Sequence, residues 1–233
     1  ALERKPKSCD SMPFFTESLL IAQKLGYEKV GEIRRAIELT KNVLQKAQQI
    51  GDRSTECDAL TNLGNFLVEA GETEQAKRCY EKALDIARKI QDHEREIKGT
   101  GNLGIIYRQE GNIEKAIEHH QRALALAREW GDLYGVATWL HNLGMDYSAL
   151  GDIRTAIDYY KQCIEISERV GSKRNVASAS WNLGLLLERQ GNLEEAVKFL
   201  QRDVEYKRSI GHPDAEKHAA YVERIRARLT KTQ

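Results

Sequence analysis

Asn-Leu-Gly stands at 62–64, 102–104, 142–144 and 182–184, and other residues keep the same step of forty. A turn glycine follows at Gly71, Gly111, Gly151 and Gly191, then alanine at Ala76, Ala116, Ala156 and Ala196. A second turn closes each unit with Gly51-Asp52, Gln91-Asp92, Gly131-Asp132 and Gly171-Ser172. A fixed period of this length means that each unit is one supersecondary piece whose apolar face is buried only by stacking on its neighbours. Of everything in the chain, this repeat most narrows the folds open to it.

Each unit reads as two helices, at 53–70 and 73–90, 93–110 and 113–130, 133–150 and 153–170, 173–190 and 193–210. Glycine at the linker can take the left-handed conformation that ends one helix, and Asp132 offers a carboxylate to the free amides of the next. Asn112, Asp152 and Asn192 do the same at the inner turn. Gly104 and Ala116 leave no bulk where paired helices cross, so their backbones can approach closely. Large residues recur in step and are core by position: Tyr107 and Tyr147, then Tyr80, His120, Tyr160 and Leu200, then Ile50, Ile90, Trp130, Val170 and Ile210. His120 occupies an aromatic slot and reads as a satisfied buried histidine.

The resulting fold class is all-α, a right-handed superhelical solenoid of antiparallel helix pairs. Residues 1–12 read as a flexible tail and 13–229 as a single solenoid. Within it, 13–50 is a degenerate first repeat, with a helix over 13–25 and Gly31 as its turn. Full repeats cover 51–90, 91–130, 131–170 and 171–210. A helix over 213–229 combines Ala219, Val222 and Ile225 with Arg224, Arg226 and Arg228, and caps the stack. Terminal repeats of such arrays are expected to be atypical.

Composition removes several function classes. With 36 Lys+Arg against 35 Asp+Glu the net charge is +1, so no global field draws the chain to nucleic acid or an anionic membrane. No apolar run approaches the roughly 20 residues of a spanning helix, so no membrane insertion is expected. The first residue is Ala, which is compatible with a fragment of a larger protein. Cys9, Cys57, Cys79 and Cys163 show no paired spacing and read as reduced thiols of a cytoplasmic protein. No GxSxG, HExxH, Walker loop or metal-ligand spacing occurs, so neither catalysis nor a metal or cofactor is expected.

The pattern of Gly64, Leu67 or Tyr107, Ala76, Tyr80 and Ala83 resembles the tetratricopeptide repeat, over about 13–229. The usual unit of that family has 34 residues; the forty-residue form with Asn-Leu-Gly in each first helix is similar to repeats of Pins-type scaffolds, kinesin light chains and bacterial sensor proteins. The resemblance implies that first helices line an inner, concave side. Asn62, Asn102, Asn142 and Asn182 then form a ladder whose amides can bind the N–H and C=O of an extended chain. The competing reading has these amides holding adjacent helices in register.

Selectivity falls to positions that vary between repeats on the same face: Thr61, Gly101, His141 and Trp181, then Asn65, Ile105, Met145 and Leu185, together with Lys98, Arg108 and Arg189. Trp181 is either the anchor for a partner or is tucked under the next helix. Ile105, Met145 and Leu185 make an apolar strip suited to aliphatic side chains. The carboxylate clamp known in the family is not expected, because Thr61, Thr138 and Asn142 stand at the corresponding places. The expected function is that of a non-catalytic scaffold holding an extended or helical protein or peptide segment in its groove. The alternative is a ligand-sensing regulatory domain of a larger signalling ATPase or transcription regulator.

Overall fold

The computed structural model describes residues 30–232, which hold ten α-helices and no strand. The expected tail and the helix over 13–25 lie outside the described residues, as do Cys9, Pro6 and Pro13. The helices are α1 (Val30–Ile50), α2 (Arg53–Glu69), α3 (Thr73–Lys89), α4 (His93–Gln109), α5 (Ile113–Glu129), α6 (Leu133–Leu150), α7 (Ile153–Arg169), α8 (Lys173–Arg189), α9 (Leu193–Ser209) and α10 (Ala215–Thr232). Gly31 lies in the first turn of α1 rather than between helices. The described residues form two compact units, divided between Gly99 and Thr100 inside α4. In each, consecutive helices are joined by turns of two to five residues and pack against one another, which makes neighbours antiparallel.

The turns do what their residues dictate. Gly51, Gly71, Gly111, Gly131, Gly151, Gly171, Gly191 and Gly211 all have positive φ, and the single non-glycine in this conformation among the described residues is Gln91, at φ 56°. Beyond them, the side chains of Asp52, Asp92, Asn112, Asp132 and Asp152 accept from the backbone N–H three residues on, each satisfying one amide that the helix leaves without a partner. Asn192 makes no such bond, against expectation.

In the first unit Cys57, Leu60, Ala83, Ile86 and Ala87 form a core cluster. Tyr80 fills the space left by Gly64, where a Cβ would come within 2.5 Å of the ring, and its hydroxyl donates to Asn65 Oδ1 at 2.7 Å. In the second unit the same slot is filled by His120 over Gly104, Tyr160 over Gly144 and Leu200 over Gly184. The crossing glycine therefore makes room for the large residue sixteen positions later. Burial pushes the thiols of Cys57 and Cys163 up to about 11, and each donates to a carbonyl, that of Ala83 and Ala137 respectively.

One expectation fails at the helix ends. Ile50, Trp130 and Ile210 are 58%, 51% and 54% exposed, not core. The residue just before the turn glycine has left the apolar stripe, because the helix is already unwinding into the turn there. Tyr107 and Tyr147 are half-buried, their rings against His119 and Tyr159.

The last helix is turned relative to its predecessors. Val222 and Ile225 of α10 are 0% and 2% exposed, although forty residues earlier Asn182 and Leu185 stand on the open face of α8. Arg224, exposed, takes the place of the crossing glycine.

Candidate functional site

In the second unit the structure gathers Met145, Asn182, Leu185 and Arg189 around one open groove of about 360 Å³, together with Ser148, Ala149, Tyr160 and Leu186. Here α6 supplies one wall over about one helical turn and α8 the other over about two, and Tyr160 of α7 lies between them. Helical periodicity explains the set: Met145 with Ser148 and Ala149, and Leu185 with Arg189, are three or four residues apart and share a face.

The polar groups around Tyr160 are linked. Asn182 Nδ2 donates to His141 Nε2 at 3.0 Å, and the Asn182 side chain is hydrogen-bonded to the Tyr160 hydroxyl. Burial, reinforced by the charge of Arg108, lowers the His141 pKa to about 4, so at neutral pH its Nε2 is a free acceptor for that amide. Arg189 is exposed at the rim and forms no ion pair among the described residues. Its neighbour Glu188 is already held by α10, accepting from Tyr221 at 2.6 Å and Arg228 at 2.5 Å.

The four asparagines do not behave alike. Asn142 is 8% exposed, its Nδ2 donating to the Thr138 carbonyl at 3.0 Å and its Oδ1 accepting from Arg108 at 2.9 Å. Asn182 is engaged as described. Asn62 and Asn102 are half-buried, and among the described residues neither side chain has a hydrogen-bond partner. Asn65 takes the Tyr80 hydroxyl, and Lys98 pairs with Glu94 at 2.5 Å on the surface. Trp181 is half-buried and stacked on His218 of α10 at 3.7 Å between ring centroids, with Tyr221 at 5.6 Å.

Arg108 points into a network that the sequence reading missed. Its Nη1 donates to Asp146 at 2.8 Å, and the other Asp146 oxygen meets His120 Nδ1 at 2.5 Å. Asp146 and His120 are both 0% exposed. His120 stacks on Trp139 at 5.9 Å, and a Cβ on Gly101 would overlap the six-membered ring of that indole. A sequence signal existed: Asp146 stands where the other repeats have Phe66, Ile106 and Leu186, and Trp139 where they have Ala59, Gly99 and Ala179. One oversized residue is matched by a glycine and a shortened aromatic, and one acid by a base on either side.

Among the described residues no group of three or more His, Cys, Asp or Glu side chains could hold a metal, and no helix is long and apolar enough to cross a membrane.

Compared with curated protein sequences, the chain finds no significant match. Among solved structures it is similar to BtubC of P. vanneervenii, with 21% identity and a TM-score of 0.67 over 85% of this chain and 92% of that one. It is also similar to a Rap protein complexed with Competence and Sporulation Factor, with 19% identity and a TM-score of 0.75 over 92% of this chain and 59% of that one. A signal-transduction ATPase of Pyrococcus horikoshii with a tetratricopeptide repeat sensor gives 21% identity and a TM-score of 0.71, the chain spanning 34% of its length. These likenesses speak for the fold. The sequence profile of the Tetratricopeptide repeat matches residues 55–129, 95–169 and 135–209, together well over half of the chain. The chain is a member of the tetratricopeptide repeat family.

Proposed function

We propose that this chain is a non-catalytic scaffold that captures a protein or peptide segment, and that the groove between α6 and α8 is where it does so. The observation that carries the reading is the placing, in one open trough, of the half-buried Met145 and Leu185 beside polar groups already oriented by internal bonds. Apolar side chains left facing solvent around an ordered polar rim are the ordinary makings of a recognition surface. Asn182 holds Tyr160 and His141 in place. Among the structural neighbours the Rap protein was solved with a bound factor, which supports the reading.

Panning a displayed random peptide library on the wild type and on Leu185→Glu tests it. Enrichment of sequences that bind the first and not the second, with unchanged helicity, is expected. Equal binding to both removes the groove from the function. A second reading, a regulatory sensor within a larger signalling ATPase, is favoured by the resemblance to the repeat sensor of the Pyrococcus horikoshii protein. Under it, the segment bound in the groove is an effector.

A further inference from the structure

Resting on the groove reading, we infer that the occupant is an extended segment bearing an aliphatic side chain and, two residues away in either direction, a carboxylate. An extended strand suits an open trough of about 360 Å³ walled by two helices, because its side chains alternate and only every second one has to enter.

Charge fixes the second requirement. His141 is neutral at pH 7, Arg108 is satisfied by Asp146 and Asn142, and Glu188 is satisfied by Tyr221 and Arg228. The uncompensated ion at the groove is then Arg189, which has no ion-pair partner among the described residues. A guanidinium at the rim of an apolar trough favours a carboxylate through two parallel N–H···O bonds.

Geometry fixes the spacing. Leu185 and Arg189 are four residues apart on α8, about 6 Å along its axis at 1.5 Å per residue. Met145 and Ala149 of α6 stand one repeat before Leu185 and Arg189, and all four line the groove. An extended ligand lying along the groove advances about 6.6 Å in two residues. The side chain that enters between Met145 and Leu185 and the one that reaches Arg189 are therefore separated by one residue. That intervening side chain points out to solvent and is unrestricted.

The test uses acetylated and amidated heptapeptides that present the spacing in both chain directions, Ser-Glu-Ser-Leu-Ser-Glu-Ser, Ser-Lys-Ser-Leu-Ser-Lys-Ser and Ser-Glu-Ser-Ser-Ser-Glu-Ser. Binding is followed through the [13C]methyl signal of Met145, one of two methionines in the chain and assignable with Met145→Leu. The first peptide is expected to shift that signal with a Kd at least threefold below either of the others at low salt, the Glu-over-Lys advantage shrinking at 0.5 M salt. Arg189→Glu is expected to reverse the preference between Glu and Lys. Equal binding of the Glu and Lys peptides, an unchanged preference in Arg189→Glu, or no shift of the Met145 signal with any peptide overturns the inference. Library sequences that need Leu185 but show no acid two residues before or after their aliphatic position overturn it as well, yet leave the groove reading standing. Library sequences indifferent to Leu185→Glu remove both.

Discussion

Replacing Asp146 by Leu restores the apolar residue that the neighbouring repeat carries at Leu186, and it should nevertheless weaken the fold. Asp146 is fully buried and accepts from Arg108 at 2.8 Å and His120 at 2.5 Å. Removing one partner of a buried charged pair costs about 3–5 kcal/mol, since the other is left desolvated. Burial of the leucine side chain returns part of this, at most about 1.5–3 kcal/mol. Arg108 also keeps its bonds to the carbonyl and Oδ1 of Asn142, and its side chain is 17% exposed, so its loss is partial. A net destabilisation of about 2 kcal/mol follows. Urea denaturation read by far-ultraviolet circular dichroism and by Trp fluorescence measures it, as a midpoint lowered by about 1 M. In an Arg108→Met background the same substitution should cost about 1–2 kcal/mol less, the two residues being in direct contact. Asp146→Leu within 0.5 kcal/mol of wild type, or additive with Arg108→Met, would refute the argument that the ionic bonds outweigh apolar burial at this position.

Among the described residues Gln91 is the one linker residue forced into left-handed geometry with a side chain, at φ 56°. Gln91→Gly should therefore raise stability by about 1 kcal/mol in thermal or urea unfolding. Gly144→Leu should destabilise by at least about 1–3 kcal/mol, because even a Cβ there comes within 2.7 Å of the Tyr160 ring; circular dichroism melts measure it, and the Met145 methyl shift reports the displaced ring. His141 gives a pH dependence. Its folded pKa of about 4 lies below the ordinary imidazole value of 6.5, so the unfolded chain takes up the proton first. Stability attributable to the neutral imidazole is full above pH 6.5 and is lost as pH falls from there to about 4, by up to about 3 kcal/mol. His141→Gln should flatten that limb of the stability profile; an identical slope in both proteins would assign it to other groups.

The helices were legible in the sequence because their signals are local. Gly-Asp linkers, capping side chains and small residues at Ala76, Ala116, Ala156 and Ala196 act within a turn or two of where they stand. The core was legible wherever a position kept its character through all repeats, as at Leu63, Leu103, Leu143 and Leu183. Period alone misled at Ile50, Trp130 and Ile210, since recurrence shows that a position is equivalent between repeats without showing that it is buried. The candidate site was legible in part: Met145, Leu185, Asn182 and Arg189 came from reading which residues share the open face. What escaped was each side chain's choice of partner across helices. Asn142 and Asn182 share a register position, yet one is sealed by Arg108 and the other turned toward His141 and Tyr160, because their neighbours in adjoining repeats differ.

The mated deviations at Gly101, His120, Trp139 and Asp146 mean that the repeats are not interchangeable parts. Transplanting the α6 sequence onto the α8 position would set the indole of Trp139 against His141, where it now meets Gly101. It would also leave the carboxylate of Asp146 facing Tyr160 and Ser148 in place of His120 and Arg108. Duplication or shuffling of units in such an array succeeds only when the whole mated set travels together, so these four residues mark where the chain has ceased to be modular.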